Sequence, residues 1–86
     1  MENGISVSWE IRRILEDNCW LYSFSRSDIK VRTTPVEGFW ETVIHGVNAV
    51  EADDALGDYF KKHPEVSRHR RVCDELLVVF TPREGQ

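Results

Sequence analysis

Apolar positions along this chain switch period several times, and the switches divide it into elements. Ile11, Ile14 and Leu15 share one face of a helix opening at Trp9, with Ser8 as its cap, Glu10 in its first turn and Asn18 as its close. A helix this short depends on packing more than on its own propensity. From Cys19 the period falls to two. Cys19-Trp20-Leu21-Tyr22-Ser23-Phe24 alternates, Ser25-Arg26-Ser27-Asp28 supplies turn chemistry, and Ile29-Lys30-Val31-Arg32-Thr33 alternates again, which predicts a β-hairpin. Pairing Phe24 with Ile29, Tyr22 with Val31 and Trp20 with Thr33 puts the three aromatics on one apolar face and Lys30 and Arg32 on the other.

The stretch 34–48 fits two templates. Thr34-Pro35-Val36-Glu37 has the form of a capped helix start, and Phe39, Trp40, Val43, Ile44 and Val47 follow helical spacing. Trp40, Thr42 and Ile44 also alternate, their residue types favour strands, and a hairpin needs a third strand, so 39–47 is read as β. Residues 51–62 predict a helix with Ala52, Ala55, Leu56, Tyr59 and Phe60 on one stripe, carboxylates at its start, Lys61 and Lys62 at its end, and Pro64 as its stop. After a polar, basic passage, Leu76-Leu77-Val78-Val79-Phe80 predicts a central or doubly buried strand that Pro82 ends. The order α-β-β-β-α-β predicts an α+β domain, an antiparallel sheet of about four strands with two helices packed on it.

Length bounds this to a single domain, 1–86, with loose termini at 1–5 and 83–86. An apolar content of 41% suffices for one core and lacks the signature of disorder. No stretch is apolar for long enough to span a bilayer, and Met1-Glu2-Asn3-Gly4 does not open a secretory signal. Cys19 and Cys73 lack CxxC spacing and read as two reduced thiols in a cytoplasmic protein, with a Cys19–Cys73 disulfide as the alternative.

Charge changes the picture more than composition does. Residues 35–58 hold six carboxylates, Glu37, Glu41, Glu51, Asp53, Asp54 and Asp58, and no Lys or Arg. Residues 59–71 then carry Lys61, Lys62, Arg68, Arg70 and Arg71 against Glu65 alone, within a chain of net charge −4. Such asymmetry bears on partners and orientation rather than on a reaction.

Candidate chemistry is thin. Neither cysteine has a local histidine partner, no serine sits in a nucleophile signature, and His63, His69 and Cys73, even with His45, lack the two close ligand pairs of a structural zinc site. No catalytic residue, metal or cofactor is expected. The cluster Lys61, Lys62, Arg68, Arg70 and Arg71 suits phosphates, with Lys30, Arg32 and the Trp20/Tyr22/Phe24 row as possible extensions, so a nucleic-acid-binding module is the alternative function. The acidic overall charge argues against it. The carboxylate-rich segment instead suits docking on a basic groove of a larger protein or nucleoprotein, with Phe39 and Trp40, flanked by Glu37 and Glu41, as candidate anchors. The expected function is a small non-catalytic inhibitor or accessory factor. Size and acidity match those of phage- and mobile-element-encoded inhibitors, antitoxins and immunity proteins, by analogy alone. A second copy of the chain is a further candidate partner, through an open edge strand.

Overall fold

The computed structural model describes residues 4–70 and 76–80, with only the backbone for 68–70. Elements run α1 (Gly4–Asn18), β1 (Lys30–Val36), β2 (Phe39–His45), α2 (Ala49–Ala55), α3 (Gly57–Lys62), β3 (Val66–Arg70) and β4 (Leu76–Phe80). The strands form one antiparallel sheet in the order β1-β2-β4-β3, with helices on one face, as the α+β reading expects.

Helix α1 starts earlier than the Ser8 cap implied, so Gly4 and Ile5 are helical instead of loose. Val7 extends the apolar stripe, and Val7, Ile11 and Leu15 are at most 1% exposed. Burying an aliphatic side chain of this kind contributes ~1.5–3 kcal/mol, which holds the extra turn in place. Asn18 closes the helix as expected, its Nδ2 donating to the Ile14 carbonyl at 2.8 Å.

The hairpin expected at 19–33 does not form. Its second arm belongs to β1, but β1 pairs with β2, Val31 opposite Ile44 and Thr33 opposite Thr42. Its first arm is instead a 3₁₀ turn at Cys19–Leu21 leading into a loop, and a second such turn spans Arg26–Asp28. The competing partner gives a longer ladder: the full seven residues of β1 pair with β2 around a two-residue loop, Glu37-Gly38. Phe24 and Ile29 keep their expected burial, at 7% and 2% exposed, while Trp20 is 77% exposed.

Pro35 sits inside β1, where it can be accommodated because β1 is an edge. Val36 and Phe39 flank the two-residue loop and exchange both backbone bonds, so alternate residues Lys30, Arg32 and Thr34 also bond to β2. The backbone groups of Val31, Thr33 and Pro35 then point off the sheet, and the N–H that Pro35 lacks is one that β2 would never have used.

The expected strand over 39–47 is β2, at Phe39–His45. Trp40, Ile44 and the alternate β4 residues Leu76, Val78 and Phe80 belong to the core under the helices, whereas Val43, also buried, lies on the opposite face. Thr42 is the buried polar residue of the core face, 1% exposed, and its Oγ1 shares a 3.0 Å hydrogen bond with Thr33 Oγ1. The long helix expected at 51–62 is two helices broken at Leu56, whose backbone leaves helical geometry at ψ 4° while its side chain is fully buried. Asn48 caps α2, its side chain accepting from the Val50 and Glu51 amides at 2.9 and 3.1 Å. Strand β3 forms within the polar, basic passage to which the sequence pattern assigned no element, pairing with β4 from Val66 opposite Phe80 to Arg70 opposite Leu76. Residues 1–3 and 83–86, Arg71 and Cys73 lie outside the described residues, and with them the question of a Cys19–Cys73 bond. No helix among the described residues is long and apolar enough to cross a membrane.

Candidate docking surface

The carboxylates singled out in the sequence divide into two groups. Glu37 lies in the β1–β2 turn and half-buried Glu41 on the sheet face away from the helices. Glu51 and Asp54 lie one turn apart on α2, with half-buried Asp53 beside them, and Asp58 lies in the first turn of α3, beyond the break at Leu56. Charge clustering in sequence is therefore a shared site in space for Glu51 and Asp54, which meet the same loop.

Two of these helical acids hold a distant loop. Ser23 donates to Glu51 Oε1 twice, from its backbone N–H at 3.2 Å and from its hydroxyl at 2.7 Å. Tyr22 donates its hydroxyl to Asp54 Oδ2 at 2.7 Å, and its ring stacks on Phe24 with centroids 5.7 Å apart. The bond to Asp54 raises the Tyr22 pKa above the ordinary tyrosine value, helped by partial burial and by the charges of Asp54 and Glu51. At the far end of the loop, Asp28 accepts from the Ser25 backbone N–H at 2.9 Å and from the Ser25 hydroxyl at 3.1 Å. Those two bonds, backbone first, lower the Asp28 pKa below the ordinary carboxylate value.

This fastening presents apolar side chains to solvent. Trp20 and Leu21, immediately before Tyr22, are 77% and 56% exposed, and Val50, next to Glu51, is 53% exposed. Trp20 is further oriented by its indole N–H, which donates to the Asp17 carbonyl at 3.2 Å. Exposed aromatic and aliphatic groups beside carboxylates have the makings of a docking surface: apolar anchors supply affinity and the charge steers approach.

The anchors suggested by sequence fall elsewhere. Trp40 is half-buried and packs against the core, while Phe39 is half-buried on the opposite sheet face, as strand alternation requires. In the sequence Trp20 reads only as part of the aromatic row of the nucleic-acid alternative, and Leu21 has no role, because their alternation imitates a strand; Glu51 and Asp54 read there as helix-start charges, and nothing local ties them to this loop.

Among the basic residues, Lys61 and Lys62 are exposed in the last turn of α3, and Arg68 and Arg70 lie on edge strand β3, their side chains outside the described set. Lys62 borders a shallow groove of about 330 Å³ together with Glu10, Asp58 and His63, so at this point the acidic and basic stretches meet instead of forming separate flanks. His63 stacks on Tyr59 at 4.4 Å and its Nδ1 lies 3.2 Å from Glu65 Oε1. Among the described residues no three His, Cys, Asp or Glu side chains converge as metal ligands would. No protein-family model, curated protein or solved structure matches the chain.

Proposed function

We propose that this chain is a small non-catalytic binding protein, an inhibitor or accessory factor, that docks the Trp20–Leu21 turn and the α2–α3 carboxylates on a basic surface of a larger protein or nucleoprotein. The observation carrying this reading is Trp20. An indole 77% exposed, its N–H donating to the Asp17 carbonyl and the loop beyond it fastened at Tyr22, is oriented without being buried. A partner that covers it recovers the hydrophobic contribution, with little ordering cost left to meet. Asp54, bonded to Tyr22 in the same loop, and Asp58, in the first turn of α3, are exposed and supply the charge that selects a basic partner.

Affinity capture with the wild type, Trp20→Ala and Asp58→Lys tests the reading. Neither substitution removes a group that fastens the loop, so both variants should fold. The species retained by the wild type should be lost with Trp20→Ala and weakened by Asp58→Lys, and its capture should fall with added salt. Equal capture by all three proteins would refute the reading. So would steep, salt-sensitive retention on heparin that disappears when Lys61 and Lys62 are neutralised, the result a nucleic-acid-binding module gives.

A further inference from the structure

Strand β1 is one edge of the sheet, and the outward stripe of α1 lies directly beside it. Ile5, Ser8, Trp9, Arg12 and Glu16 line a groove of about 420 Å³ whose other wall includes Thr33, the central residue of β1. Ile5 is 57% exposed and Trp9 71% exposed, on the flank of α1 turned away from the Val7–Ile11–Leu15 core stripe. Among the described residues no strand pairs with the outer edge of β1, so an open strand edge and an apolar helix flank share one side of the molecule.

We propose that this side binds a second copy of the chain, β1 pairing with β1 antiparallel about a two-fold axis at Thr33. This inference is independent of the docking role proposed above. Three features favour a second copy over another partner. Centring the axis on Thr33 pairs all of Lys30–Val36 with its own reverse, so the whole strand is used. The outward positions then match: Thr33 bonds Thr33 of the other copy in both directions, and each Val31 N–H meets a Pro35 carbonyl, so the donor Pro35 lacks removes nothing from the remaining bonds. Charge selects this register as well. It sets Arg32 against Thr34 and Lys30 against Val36, whereas an axis at Arg32 would oppose two guanidinium groups.

The helix stripe is also complementary to itself. It carries one cation and one anion, Arg12 and Glu16, whose side chains lie 3.8 Å apart and are exposed by 53% and 38%. Reversed across the axis, Trp9 of one copy meets Arg12 of the other, a favourable cation–aromatic contact, and Ile5 meets the aliphatic stem of Glu16. β1 spans only ~23 Å, so the contact falls toward the low end of stable interfaces and a dissociation constant on the order of 10 µM is expected.

Sedimentation velocity of the full chain from ~1 µM to ~1 mM tests the association, and amide exchange locates it. The mass should double across that range. The amides of Val31 and Thr33 should exchange more slowly as concentration rises, while those of Lys30, Arg32 and Thr34, already bonded to β2, should not change. Trp9→Glu removes only exposed contacts, so it should leave the circular dichroism and Tm intact and weaken association at least tenfold. A monomer throughout the range overturns the proposal. A dimer that leaves Val31 and Thr33 exchange unaltered, or that tolerates Trp9→Glu, overturns it equally.

Discussion

Tyr22 and Asp54 are separated by 32 residues in the chain and joined by a 2.7 Å hydrogen bond, which ties the loop after α1 to the outer face of α2. Tyr22→Phe keeps the ring on Phe24 and removes only this bond. Because the bond is solvent-exposed, we expect a stability loss of roughly 0.5–1 kcal/mol in urea titrations. Backbone relaxation should reveal greater motion in residues 20–23, and unchanged dynamics would mean that the bond does not hold the loop.

The same bond sets an alkaline limit. The folded Tyr22 pKa lies above that of the unfolded tyrosine, so the protonated form is favoured by folding. Its contribution is complete below about pH 10 and is lost as pH rises through the folded value. Phenolate absorbance of the wild type minus that of Tyr22→Phe should titrate above the ordinary tyrosine range. Titration at or below it would remove the role assigned to Asp54.

At the acid end Asp28 behaves in the opposite sense. Its folded pKa is depressed by the Ser25 N–H and hydroxyl. The contribution is therefore present above about pH 4 and is lost as pH falls through the folded value. Thermal melts between about pH 5 and pH 2 should show Ser25→Ala losing less stability than the wild type on acidification. Parallel curves would count against this cap.

Gly38 and Gly46 both have positive φ, at 87° and 86°, but they should not respond alike to substitution. Nothing lies within 4 Å of a Cβ added at Gly38, so Gly38→Ala carries only backbone strain, about 1–2 kcal/mol. At Gly46 the new atom would collide with the Asp28 carbonyl oxygen as well, where the chain entering β1 crosses the end of β2. Denaturant midpoints should fall much further for Gly46→Ala, and equal losses would refute the close approach.

Buried Thr42 and half-buried Thr33 share a hydrogen bond on which the Thr42 hydroxyl depends. Thr33→Val leaves the Thr42 hydroxyl inside the core without its partner, at a cost of about 1–3 kcal/mol. Replacing both by Val should cost less than the two single losses added together. A strictly additive double-mutant cycle would show that the hydroxyls do not interact.

How far the sequence could be read depended on how local each element's cause is. Val7, Ile11 and Leu15 make α1 amphipathic on their own, and Trp40, Thr42 and Ile44 likewise announce β2. The segment 19–24 misled because Trp20, Tyr22 and Phe24 alternate without sharing an environment: one is exposed, one half-buried, one buried. Its conformation is decided by Glu51 and Asp54, which no local pattern connects to it. Strand β3 was hidden for a similar reason, since among its described side chains only Val66 is apolar and its ladder with β4 does the work of a pattern. For the candidate site, composition located the charge, but the fold decided which acids share a face and which aromatic stays outside.

Pro35, finally, has a bearing on solubility. An arriving ribbon finds two amide donors on this rim, those of Val31 and Thr33, and then a gap where Pro35 has none to give. One pairing tolerates that gap, but a stack would meet it again in every layer, so the rim is a poor template for the continuous stacking that builds amyloid. Pro35→Thr would restore the missing donor, and the cell would have a stickier protein to manage.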